Sequence, residues 1–113
     1  MESSPTMEAS DKATMTEIDA VAQLSFENNI LAQFNQIATR PNLSPDAQIH
    51  LVDMTFKRLS FENNQLQVLL KLIANPSFSP AAKEKILKEL KRMSFENNKQ
   101  ALLDAMNRRE NQQ

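Results

Sequence analysis

The chain has no glycine, cysteine, tryptophan or tyrosine in its 113 residues. Each absence disfavours a class of chemistry. Tight hairpins, phosphate-cradling loops and nucleophile elbows lean on residues that tolerate positive φ, which glycine supplies most readily. Without cysteine there are no disulfides, thiolate metal sites or cysteine nucleophiles. No stretch alternates apolar and polar residues as a half-buried strand does. No apolar run approaches the roughly 20 residues that span a bilayer. The net charge of −1 argues against a dominant attraction to nucleic acid or anionic membrane.

Charge is nevertheless uneven along the chain. Residues 1–30 hold six acids against one base, whereas residues 91–113 hold five bases against three acids. The opening "MESSPTMEASDK" lacks the basic and apolar regions of a secretory signal. A cytoplasmic location is therefore expected.

What is present is a repeat. "LSFENN" occurs at Leu24–Asn29 and Leu59–Asn64, and "MSFENN" at Met93–Asn98. A second phrase, "PNLSP" at Pro41–Pro45, returns as "PSFSP" at Pro76–Pro80. Laid without a gap on residues 59–82, residues 24–47 give eleven identities in 24 positions. The interval of 34–35 residues suits a helix–turn–helix unit. The fold expected is all-α, built of αα-hairpins, as a short solenoid or a compact six-helix bundle. Tetratricopeptide units share the period, but their Trp, Gly and Tyr positions have no counterpart here.

Helix starts are written into both phrases. Ser44 and Ser79 are expected N-caps, each followed by a proline at the first helical position, where a missing N–H is harmless. Ser25, Ser60 and Ser94 are expected to cap in the same way. Glu27, Glu62 and Glu96 then lie where a carboxylate complements the dipole of its own helix. Apolar residues follow at helical spacing: Phe26, Ile30, Phe34, Ile37 and Ala38 form one stripe, and Ala82, Ile86, Leu90 and Met93 another. On this pattern Phe26 and its equivalents pack into the joints. Helices are predicted at 11–23, 26–39, 45–58, 61–74, 80–92 and 95–109. The domain plan has a disordered tail at 1–9, a divergent half repeat at 10–23, repeats at 24–58 and 59–92, a half repeat at 93–109 and a tail at 110–113.

Six asparagines, Asn28, Asn29, Asn63, Asn64, Asn97 and Asn98, are harder to explain, because Asn is a poor helix former. Either their amides lock the joints by bonding carbonyls of the preceding helix, or they form a row that holds a partner. Other chemistry is sparse. His50 lies three residues before Asp53 with no convincing third ligand, so it is read as a solvent-facing histidine beside a carboxylate. No base stands near the serines and no carboxylate pair suggests acid–base work. Lys83, Lys85, Lys88, Lys91 and Arg92 surround an apolar stripe, with Glu84–Lys88 and Lys85–Glu89 as ordinary i, i+4 pairs. Met54, Met93 and Met106 read as core filling.

The function expected is a non-catalytic helical-repeat module for protein–protein interaction, without catalytic residue, metal or cofactor. Its expected partner is another protein or a peptide. A nucleic-acid-associated regulator using the basic C-terminal third, or a self-assembling structural protein, is the alternative.

Overall fold

A computed structural model describes residues 3–111, with side chains from Asp11 to Asn111. Six α-helices follow one another: α1 Ser3–Ala22, α2 Glu27–Ala38, α3 Pro45–Arg58, α4 Glu62–Ala74, α5 Pro80–Glu89 and α6 Glu96–Asn111. A single 3₁₀ turn, Leu90–Arg92, extends α5. The tail expected over 1–9 is helical from Ser3, and Glu110 and Asn111 complete α6 rather than beginning a tail. Pro5 does not interrupt α1, because it lies in the first turn, where backbone N–H groups have no intrahelical partner. Met1, Glu2, Gln112 and Gln113 lie outside the described residues.

The helices stack as hairpins. α1 packs on α3 and α3 on α5, while α2 packs on α4 and α4 on α6. The result is two layers, odd helices in one and even helices in the other, 47 × 39 × 20 Å overall. The smallest extent matches two helix diameters of about 10 Å each. Between the layers lies one continuous core, with Ile18, Phe34, Ile37, Leu51, Val52, Leu69, Leu72, Ile86 and Leu102 fully buried.

Two kinds of connector alternate. Thr39–Ser44 and Asn75–Ser79 join α2 to α3 and α4 to α5. At their ends Ser44 Oγ accepts from Ala47 N–H and Ser79 Oγ from Ala82 N–H, each at 3.1 Å, with Pro45 and Pro80 as the first helical residues. Asn42 takes the left-handed conformation (φ 60°) that a glycine would otherwise fill. The two loops are tied together. Buried Gln48 donates to Leu43 O and Ser77 O and accepts from Ser79 N–H. Asn75, also buried, donates to Ala38 O and Arg40 O.

The other connectors are the short joints at Ser25, Ser60 and Ser94. Arg58 braces the first by donating to Ala22 O (2.6 Å) and Leu24 O (3.1 Å). These joints carry the repeated five residues.

Candidate functional site: the Ser-Phe-Glu-Asn-Asn joints

At each joint the helix begins at the glutamate, one residue later than the repeated serine would require of a cap. α2 and α4 have Phe26 and Phe61 as N-caps, neither supplying a side-chain cap, and α6 begins at Glu96. The first N–H groups close on the phenylalanine carbonyls, from Asn29 to Phe26 O, Asn64 to Phe61 O and Asn98 to Phe95 O. Ser25, Ser60 and Ser94 are therefore not caps in the way that Ser44 and Ser79 are.

The cap comes from the preceding repeat. One Glu27 carboxylate oxygen accepts from Ser60 N–H (3.0 Å) and Ser60 Oγ (2.7 Å), and the other from Phe61 N–H (3.1 Å) and Asn64 Nδ2 (2.9 Å). Glu62 repeats the arrangement one unit on. It accepts from Ser94 N–H (2.7 Å), Phe95 N–H (3.0 Å) and Asn98 Nδ2 (2.9 Å). Glu27 and Glu62 thus lie in the first turn of their own helix and also complement the dipole of the next even helix. The donors leave their mark on the carboxylate: burial pushes the Glu27 pKa upward, but bonds from Ser60, Asn64 and Phe61 outweigh it and hold the group at about 2. Glu62 is lowered in the same way, burial again opposing bonds from Ser94, Asn98 and Phe95.

The six asparagines divide accordingly. Asn64 and Asn98 lock joints, but onto a glutamate of the preceding unit, not onto helix carbonyls; the carbonyl-bonding role belongs to Asn75. Asn28, Asn63 and Asn97 are exposed and make no side-chain hydrogen bond among the described residues. Asn29, the first unit's equivalent of Asn64, is exposed too.

The phenylalanines depart furthest from expectation. Phe26, Phe61 and Phe95 do not pack into the joints; they are 72%, 67% and 62% exposed. Their carbonyls, and in Phe61 and Phe95 their N–H groups as well, hold the joint while the rings stand in solvent. Because α2, α4 and α6 pack in series, the rings recur at roughly the 8–10 Å spacing of neighbouring helices.

Elsewhere several charged residues are paired. His50 Nε2 lies 2.7 Å from Asp19 Oδ1 on α1, so its carboxylate partner is not Asp53. Asp53 instead faces Lys57 and Lys85. Lys85–Glu89 and Lys88–Glu84 form the expected pairs, Lys83 pairs with Glu110, and Arg92 with Glu89. Met93 and Met106 are buried and Met54 is half-buried. Among the described residues no three His, Asp or Glu side chains converge, and no helix is long and apolar enough to cross a membrane.

No protein family, curated protein or solved structure matches this chain.

Proposed function

We propose that this chain is a non-catalytic helical-repeat module that binds another protein through Phe26, Phe61 and Phe95. One observation carries the reading. An aromatic ring is held in solvent at the same place in three successive units, although the joint there uses only its backbone. Single exposed apolar residues are ordinary, but a row at the period of the fold is not scattered. A partner that buries one ring gains about 1.5–3 kcal/mol, so three rings suffice for a useful gross contribution before the cost of association. The fitting partner presents apolar side chains at about the interhelical spacing, along an extended segment or a helix laid across the row. Asn28, Asn63 and Asn97 can supply amide hydrogen bonds at its rim.

Nucleic acid is the poorer fit. Aromatic rings also stack bases, but each ring here is followed directly by a glutamate, which repels phosphate. Of the bases in the C-terminal third, Lys83, Lys85, Lys88 and Arg92 are already paired with glutamates.

The test compares proteins retained from lysate by the natural chain and by the triple variant Phe26→Ser, Phe61→Ser, Phe95→Ser. The expected result is a discrete protein held by the natural chain, insensitive to added salt, and lost from a variant that melts at an unchanged temperature. Equal retention by the variant, or retention that collapses with salt as phosphate contacts do, overturns the reading.

A further inference from the structure

The joint is directional. Within one copy of the five residues, the serine and phenylalanine N–H groups and the second asparagine reach back to the preceding unit, while the glutamate reaches forward. Three copies in series therefore leave one set unused at each end. At the front, the N–H groups of Ser25 and Phe26 and the amide of Asn29 have no acceptor among the described residues. At the back, the exposed Glu96 carboxylate has no donor among the described residues. The two leftover halves are those that meet inside the chain at Glu27–Ser60 and again at Glu62–Ser94.

Apolar burial tells the same story independently. Leu24 is 38% exposed, yet its equivalents Leu59 and Met93 are 1% and 2% exposed. At the other end Leu87 and Leu103 are 40% and 37% exposed, whereas the matching positions one unit earlier, Val52 and Leu69, are wholly buried. Terminal units of a stack are ordinarily polar on the outer face. Here both outer faces keep the large aliphatic residues of inner ones. Charge agrees as well, since the front third of the chain is acidic and the back basic.

We propose that copies of this chain join head to tail, the Glu96 carboxylate of one accepting from Ser25 N–H, Phe26 N–H and Asn29 Nδ2 of the next. Leu87 and Leu103 of the first copy and Leu24 of the second lie in the same contact. Such an interface is heterologous: each pairing leaves a free front on one copy and a free back on the other, so association continues beyond the dimer. The row of exposed phenylalanines then continues from copy to copy. The inference does not depend on what those rings bind.

Sedimentation equilibrium across a concentration series tests it with two variants. One has a disabled front (Leu24→Asp, Asn29→Ala) and the other a disabled back (Glu96→Ala, Leu103→Asp). All altered positions are exposed in the single chain, and unchanged melting in dilute solution establishes that both variants fold. The natural chain is expected to rise above 12.9 kDa with concentration. Each variant alone associates at least ten-fold more weakly, and an equimolar mixture stops at a dimer, because one working front meets one working back. A natural chain that stays monomeric to about 1 mM, the weakest association of interest, overturns the proposal. So does self-association that survives in both variants, or that is abolished instead by the triple phenylalanine variant.

Discussion

Glutamate recurs three times in one motif, and its three copies do different amounts. Among the described residues Glu27 accepts four hydrogen bonds, Glu62 three and Glu96 none. Bonds to a charged acceptor at a helix N-terminus are stronger than neutral ones, and loss of a good cap costs about 1 kcal/mol by itself. Glu27→Ala removes the cap and also frees Ser60 and Asn64, so a loss of about 2 kcal/mol is expected. Glu96→Ala, the same substitution in the same five-residue context, is expected to change stability by less than about 0.5 kcal/mol in dilute solution. Urea unfolding of the two variants side by side measures the difference. Equal losses would mean that the glutamates act within their own helices.

At the scale of the helix, the serines separate into two groups that look alike as letters. Ser44 and Ser79 accept from the third residue on, so Ser44→Ala and Ser79→Ala are each expected to lower stability by about 1 kcal/mol. Ser25→Ala and Ser94→Ala, where no side-chain cap bond exists, are expected to be near neutral by thermal melting. This contrast marks where sequence reading succeeds. Helices α2 to α6 were legible to within a few residues, because proline, serine and a 3.6-residue apolar period act locally. The glutamate bonds were not, since they join residues 32 to 37 positions apart and depend on how two helices lie together. Phe26 misled for a related reason. It falls four residues before Ile30, as a core residue should, but it precedes the first helical turn, so helical periodicity does not govern its direction. Gln48 and Asn75 went unnoticed because burial of a polar residue leaves no mark in the pattern around it.

For the molecule as a whole, the carboxylates set an acid limit. Glu17 is lowered by its hydrogen bonds from Arg40, while Glu27, Glu62 and Glu89 are lowered by donors that outweigh the opposing effect of burial. A group whose folded pKa lies below its unfolded value stabilises the fold above the unfolded value and loses that contribution as pH falls towards the folded one. For Glu27 the window runs from 4.5 down to about 2. Melting temperature is therefore expected to hold from neutral pH to about 5 and to fall below 4.5, with a shallower fall in Glu27→Gln. A variant that follows the natural chain through the whole window would remove Glu27 from the explanation.

The forward-reaching glutamate also bears on how such a chain can change over generations. Receiving groups and gripping group sit within the same five residues, so an in-register duplication of 34–35 residues carries a complete joint with it. The inserted unit would find its cap on the unit before it and supply one to the unit after it, with no compensating substitution in either. Length is thus the property a single genetic event can alter most cheaply in this architecture, and every added unit would present one more phenylalanine to whatever lies across the row.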